Sequence, residues 1–135
     1  NMNTFKVLFP LLLALFAFSS ADAQKNTVDG KKIKEIKEWK IDGGKRFLSE
    51  VSKYNVNGEK TEQIKYESNG SPKERTTYEY NAKGKCVAEI RYDEFNKLEK
   101  KTLIEYNSYG KRSKETIYDA KGKVKSTKEV EYITE

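Results

Sequence analysis

The chain has 135 residues, of which 36% are charged and 12% are aromatic, and it contains no histidine. Lysine and arginine exceed aspartate and glutamate by six, and there is a single cysteine. These values allow one small domain. They exclude an intramolecular disulfide, and they remove histidine-dependent nucleophiles and the usual zinc sites.

Residues 1–23 are predicted to be a secretory signal peptide. Lys6 provides the positive start, residues 7–18 form an apolar run, and Ala21-Asp22-Ala23 is a small-x-small cleavage site. The run is too short to span a bilayer, and a buried core helix is the alternative interpretation. We therefore expect export to the periplasm or the cell exterior, with no transmembrane segment left after cleavage.

Residues 24–31 are predicted to be a flexible lead-in to a β-repeat domain that covers residues 32–135. The pattern of residues 32–41 fits one face of a helix or one side of a strand. Gly43 follows Trp39 by four residues, as a glycine follows each later tyrosine, and the additional Gly44 is interpreted as a bulge. The repeat array is therefore expected to begin here, in a degenerate form.

Tyrosines recur at alternating spacings of 12 and 14 residues, which gives a true period of 26: Tyr54, Tyr66, Tyr80, Tyr92, Tyr106, Tyr118 and Tyr132. Each of the first six is followed by Asn, Asp or Glu, and four residues on by glycine or, once, by Asn96. This is the chemistry of hairpin turns, with two hairpins per period. Gly84, Gly122 and Asn96 are predicted to have positive φ, and replacing Asn96 with glycine is expected to be neutral or mildly stabilising.

The period also argues against disorder. Leu, Ile, Val and Phe make up only 19 of the 112 residues after the leader, a fraction typical of disordered chains. A disordered chain, however, has no reason to keep tyrosines and turn glycines at a fixed period. Few aliphatic residues mean a thin core, in which tyrosine is expected to supply much of the burial.

The spacing predicts an all-β fold: an antiparallel meander of about eight strands built from 26-residue double-hairpin repeats. The even-numbered residues of the last six strands are the more apolar, which predicts a sheet with one wet face. Because no helix is left to cover the apolar face, the sheet is a single twisted layer, rolls toward a barrel or pairs with another copy. The strands are predicted at about 32–40, 45–54, 59–67, 73–80, 85–93, 98–106, 111–119 and 124–133.

The motif in YNAKGK at 80–85 and YDAKGK at 118–123 resembles the tyrosine-aspartate repeats of Rhs-type proteins. It is also similar to MORN-like variant repeats of bacterial secreted proteins. The resemblance implies spiralling β-sheets that enclose or display other molecules without catalysis of their own. The strict 12/14 spacing and the short array depart from the Rhs pattern, and small exported hairpin-repeat proteins are the nearer comparison.

Aromatic side chains are the candidate partner-binding residues. Tyr66, Tyr92 and Tyr118, with Trp39, are expected to form a row at one end of the strands, and the other tyrosines a row at the opposite end. They either cap the core with their hydroxyls in water or offer a platform for sugars or peptides. Phe95 and Tyr109 fall at turn tips, where an apolar residue has no evident packing role.

No catalytic, metal or cofactor site is predicted. A pair of glycosidase carboxylates is a remote alternative, because each Glu lies on a strand beside Lys or Arg. Nucleic acid is not an expected partner, since opposite charges are interleaved throughout. Cys86 is interpreted as a half-buried filler on the apolar side of a strand, and a reactive thiol or an intermolecular disulfide is the alternative.

These patterns predict an exported, non-enzymatic β-repeat protein that binds a protein or glycan partner. The alternative is a structural element that associates with other copies through its sheet face or edge.

Overall fold

The computed structural model describes residues 27–135, so the predicted signal peptide lies outside the described residues. A short hairpin of β1 (Thr27–Val28) and β2 (Lys31–Lys32) precedes one antiparallel sheet of eight strands. Each strand pairs with its neighbours in sequence, and the sheet is open, with β3 and β10 at its edges. The predicted all-β meander is confirmed. The sheet strands are β3 (Glu35–Asp42), β4 (Lys45–Tyr54), β5 (Lys60–Tyr66), β6 (Pro72–Tyr80), β7 (Cys86–Tyr92), β8 (Leu98–Tyr106), β9 (Arg112–Tyr118) and β10 (Val124–Glu129).

Five of the six turns that follow the tyrosines share one hydrogen-bond scheme, whereas in the turn after Tyr66 the side-chain oxygen of Asn69 accepts the backbone N–H of Ser71. After Tyr80, the Asn81 side-chain oxygen accepts the backbone N–H groups of Lys83 and Lys85, both at 3.0 Å, and Gly84 N–H donates to Asn81 O at 3.0 Å. Asn or Asp acts in the same way in four further turns, at Asn55, Asp93, Asn107 and Asp119. Such side-chain bonds to the following backbone favour the turn over other local structures.

The residue that closes each turn is left-handed, as predicted. φ is 78° at Gly84, 80° at Gly122 and 61° at Asn96. Glycine takes this conformation without steric cost, and asparagine tolerates it better than most residues.

The first hairpin differs from the prediction. Trp39 lies inside β3, not in the tyrosine position at a strand end, and the turn consists of Gly43 and Gly44 alone, with φ of 56° and 78°. Two successive residues with positive φ form a type I′ turn, whose twist matches antiparallel strands. The irregularity in register is instead at Trp39, which pairs with Leu48 while Glu38 pairs with Glu50. Before this hairpin, part of the predicted flexible lead-in forms the β1–β2 hairpin around Asp29 and Gly30.

A β-bulge follows every turn that begins at a tyrosine. Because of these bulges, the prediction that the even-numbered residues of all strands form one apolar face is wrong. Tyr80 pairs with Cys86 and Glu79 with Ala88, so Val87 has no partner. The unpaired residue is always the seventh after the tyrosine: Thr61, Lys73, Val87, Glu99, Ser113 and Lys125. One extra residue moves a strand's side chains to the other face. Even-numbered residues of one strand therefore share a face with odd-numbered residues of the next, as in the pair Thr77 and Ile90, and apolar and polar residues mix on both faces.

The buried hydrophobic residues of the described chain are few and small. They are Val51, Cys86, Ala88 and Ile104, and no large side chain is fully enclosed. Cys86 is 4% exposed, and its thiol lies 3.5 Å from Ala88 O. Burial raises the pKa of this thiol to about 11, so thiolate chemistry is disfavoured near neutral pH. Cys86 is thus more deeply buried than the half-buried filler that was predicted.

Candidate binding surface

The tyrosines at one end of the sheet form a ladder of hydrogen bonds between successive repeats. The hydroxyl of Tyr80 donates to Lys60 O at 2.7 Å, that of Tyr106 to Cys86 O at 2.6 Å, and that of Tyr132 to Arg112 O at 2.7 Å. Each accepting residue lies 20 positions before the tyrosine that donates to it. It follows the preceding tyrosine of the same row by six positions and pairs with that tyrosine in the sheet. Burial raises the pKa of Tyr80 and of Tyr106. This row therefore stabilises the array.

The tyrosines at the other end have a different environment. Tyr66, Tyr92 and Tyr118 are half-buried, and their hydroxyls form no hydrogen bond with residues 27–135. The guanidinium of Arg75 lies 4.2 Å from the ring centre of Tyr92, and that of Arg46 lies 3.9 Å from the ring centre of Trp39. One ring face of Trp39 and one of Tyr92 are thus covered by an arginine of the chain itself.

Phe95 and Tyr109 are the most exposed of the predicted site residues. Their exposed fractions are 73% and 86%. The backbone N–H of Phe95 donates to Asp93 Oδ1, and that of Tyr109 to Asn107 Oδ1, both at 2.9 Å. Their turns are held by backbone and Asx contacts, which leaves the aromatic rings free. The two turns lie at opposite ends of the strands, as predicted, so the structure does not bring these residues together.

Arg75 is the centre of a polar cluster that the sequence reasoning missed. Its guanidinium donates to Glu62 Oε2 at 2.9 Å and to Asn96 Oδ1 at 3.1 and 3.2 Å, and it covers Tyr92. Lys53 Nζ lies 3.3 Å from the other carboxylate oxygen of Glu62, Oε1. Burial raises the pKa of Glu62, but hydrogen bonds from Arg75 and Lys53 outweigh burial and leave this pKa below its usual value of 4.5.

The contact with Arg75 changes what is expected of Asn96→Gly. Glycine relieves the left-handed strain but removes the acceptor of two charge-assisted hydrogen bonds. We expect a net loss in the free energy of unfolding of up to about 1 kcal/mol. In an Arg75→Met background the same substitution should be neutral or stabilising. Urea denaturation of the wild type, the two single variants and the double variant measures the coupling between Asn96 and Arg75. If Asn96→Gly raised the stability of both the wild type and Arg75→Met, the Arg75 contact would be immaterial.

Glu89 is a carboxylate whose charged form is disfavoured by burial. It is half-buried, and it lies opposite Tyr78 on one side and Thr102 on the other. Burial raises its pKa; Arg112 and Lys100 oppose this rise, and Glu115 adds to it. The folded chain therefore binds a proton at Glu89 more readily than the unfolded chain does.

This shift predicts a pH-dependent effect of Glu89→Gln. A carboxyl whose pKa is raised on folding destabilises the protein above that pKa, and the cost disappears as pH falls toward the unfolded value. Glu89→Gln should therefore raise the melting temperature at pH 7, and the difference from wild type should shrink as pH approaches 4.5. Glu99→Gln is the control, because Glu99 is exposed and paired with Arg91. A lower melting temperature for Glu89→Gln at pH 7 would mean that the contacts with Arg112 and Lys100 outweigh burial.

Two open grooves lie beside the tyrosine ends. The larger, of about 890 Å³, separates residues 32–35 from the end of β4; its edges are joined by Tyr54 N–H to Lys34 O at 2.9 Å and by Lys32 Nζ to Val56 O at 2.7 Å. The smaller, of about 330 Å³, lies at the opposite end of the strands. Its lining is formed by Leu98, Lys101, Leu103, Tyr118, Asp119 and Gly122.

Within residues 27–135 there is no group of three or more Asp, Glu, Cys or His side chains that could hold a metal ion. The same residues contain no helix with the length and hydropathy needed to cross a membrane.

Comparison with known proteins gives no family. The sequence matches no known family profile and no curated protein. Among solved structures, part of the GtfA/B complex bound to UDP and GlcNAc is 22% identical over 67% of this chain, with a TM-score of 0.32. TarM is 16% identical over 93% of this chain, also with a TM-score of 0.32. The chain spans about a fifth of the length of each, 19% and 20%.

Proposed function

We propose that this chain is an exported, non-enzymatic β-repeat protein that binds a protein or glycan partner at the cell envelope or outside the cell. The observation that carries the proposal is the exposure of Phe95 and Tyr109 on hydrogen-bonded turns. The equivalent turn positions of neighbouring repeats hold polar residues: Asn57, Asn69, Lys83 and Lys121. The fold needs no aromatic residue there, so a contact with a partner is the simplest reason for one.

The surface charges favour a binding role over catalysis. The glutamates on the strand faces are mostly engaged with basic residues, as in Lys65–Glu74 at 3.7 Å and Arg91–Glu74 at 3.6 Å. Such cross-strand ion pairs are an ordinary feature of a wet sheet. Carboxylates held in such pairs have a structural explanation, so they supply no argument for a pair of glycosidase carboxylates.

Self-association through the sheet has less support. Neither face is uniformly apolar, because the bulges mix apolar and polar residues on both. The edge strand β10 is exposed along its length and carries Lys125 and Lys128. Lysines on an edge strand discourage pairing with another sheet.

The double substitution Phe95→Asn and Tyr109→Asn tests the proposal. We expect the free energy of unfolding to stay within about 0.5 kcal/mol of wild type, and retention on the partner to be lost. Retention is measured by co-sedimentation with purified cell-wall sacculi and by a panel of immobilised glycans and envelope proteins. Lys83→Asn with Lys121→Asn is the matched control, because it changes the same turn positions one repeat away.

Two outcomes would contradict the proposal. A large loss of stability in the aromatic double variant, with retention intact, would show that both rings only pack over the sheet ends. The second outcome is a stable oligomer that survives dilution, measured by light scattering of the chain without residues 1–23. Such an oligomer would favour self-association over partner binding.

A further inference from the structure

The 26-residue period allows each polar site to be compared with its copy one repeat later. Arg75 has three partners in its own chain: the carboxylate of Glu62, the amide oxygen of Asn96 and the ring of Tyr92. Arg75 pairs with Tyr92 across β6 and β7, and Lys101 pairs with Tyr118 across β8 and β9 in the same way. A cation therefore lies beside a tyrosine in both repeats.

The second site lacks the oxygens that the first site contains. Ala88 stands where Glu62 stands one repeat earlier, since Glu62 pairs with Thr77 and Ala88 with Leu103. Gly122 stands in the position of Asn96. Lys101 consequently forms no ion pair with residues 27–135, and the space beside it is the 330 Å³ groove.

The other walls of this groove combine apolar and polar surface. Leu98 and Leu103 replace Pro72 and Thr77 of the preceding repeat, and Tyr118 completes the wall. Asp119 also lines the groove, and its Oδ1 accepts the backbone N–H groups of Lys121 and Lys123 at 2.9 and 3.0 Å, so one of its carboxylate oxygens is engaged in its turn. The groove thus presents one unpaired ammonium group beside an aromatic ring and two aliphatic side chains.

We propose that this groove binds the carboxylate of a hexuronate unit in an acidic polysaccharide. The ligand's carboxylate takes the position that the oxygen of Asn96 occupies beside Arg75, which Gly122 leaves open, and contacts Lys101. The C–H face of the sugar packs against Tyr118 and the two leucines, as amphipathic rings do on aromatic residues. A groove of this size is at the small end of ligand sites, which suits a single sugar ring.

This inference rests on the binding function proposed above and names one ligand class for it. The groove adjoins the Phe95 turn, because β8 starts at Leu98, three residues after Phe95. A polymer that occupied the groove would therefore pass close to that exposed ring.

The test is a titration of the ¹⁵N-labelled chain, residues 24–135, with a galacturonate trisaccharide, followed by NMR. We expect shifts at residues 98–103 and 118–122, and none with the neutral trisaccharide maltotriose. Lys101→Gln should weaken binding about tenfold or more, as should Gly122→Asn, which supplies the internal oxygen that Asn96 supplies to Arg75. Lys100→Gln is the control, because Lys100 is the neighbouring residue on the opposite face, and it should bind as wild type does. Melting curves confirm that each variant is folded.

Three results would overturn the inference: binding by Lys101→Gln equal to wild type, equal binding of maltotriose, or tighter binding of triglutamate than of the uronate. The Phe95→Asn and Tyr109→Asn variant keeps the two proposals separable. If galacturonate does not bind but that variant loses retention on another partner, the uronate site is wrong and the proposed function stands.

Discussion

Replacing Gly84 with valine is expected to lower the free energy of unfolding by about 2–3 kcal/mol, and the same change at Gly122 by about 1 kcal/mol less. Both glycines have nearly the same φ, 78° and 80°, so the backbone strain of a β-branched residue is the same at the two sites. The surroundings differ. A Cβ added at Gly84 would lie 3.2 Å from Glu59 Oε2, whereas nothing lies within 4 Å of one added at Gly122.

Glu59 cannot easily move away from a side chain at position 84. It is 9% exposed, and its other carboxylate oxygen accepts a hydrogen bond from Asn55 Nδ2 at 2.9 Å. The turn that contains Glu59 therefore packs against the turn that contains Gly84, one repeat later.

Urea denaturation of both valine variants, in the wild-type and Glu59→Ser backgrounds, isolates this contact. Glu59→Ser copies Ser71, which follows the glycine in another turn. The cost of Gly84→Val should fall to that of Gly122→Val when Glu59 is absent. Equal costs of the two valine substitutions in the wild-type background would show that contact between the turns contributes nothing.

Removing one hydroxyl from the tyrosine ladder is expected to cost about 1 kcal/mol, within the usual range for a hydrogen bond. Tyr80→Phe and Tyr106→Phe should show this loss, because each hydroxyl donates to a backbone carbonyl of the preceding repeat in a partly buried environment. The carbonyl that loses its donor adds to the cost. Tyr132→Phe should cost less, since that contact is exposed.

Tyr118→Phe is the matched control, because its hydroxyl forms no hydrogen bond with the described residues. Its free energy of unfolding should change by no more than about 0.5 kcal/mol. Thermal and urea denaturation of the four single variants provide the comparison. A loss for Tyr118→Phe as large as that for Tyr106→Phe would mean that the two rows stabilise the sheet equally and that the ladder has no special role.

The candidate site was only partly predictable. Phe95 and Tyr109 could be selected from the sequence because the same turn position holds polar residues in the other repeats. The structure places both rings in solvent. Lys101 and its groove were missed. A comparison of the repeats shows that Ala88 and Gly122 replace Glu62 and Asn96. This replacement indicates an unpaired Lys101 only after the structure shows that Arg75, the counterpart of Lys101, contacts both Glu62 and Asn96.

The sequence by itself determined the hairpins of this protein. Asn81, its glycine and the flanking strand residues lie within a few positions of one another, so turn type and strand boundaries follow from local chemistry. Trp39 shows the limit of this reasoning, because a neighbouring glycine pair forms a two-residue turn and leaves Trp39 inside its strand.

Only the tertiary structure decided which side chains share a face. The bulge at Val87 and at its counterparts reverses the faces from strand to strand, and no local pattern reveals a reversal that depends on pairing across strands. The hydroxyl ladder and the Arg75 cluster were hidden for the same reason. Their partners lie 13 to 21 residues apart in sequence, and only the register of the folded sheet brings them within hydrogen-bond distance.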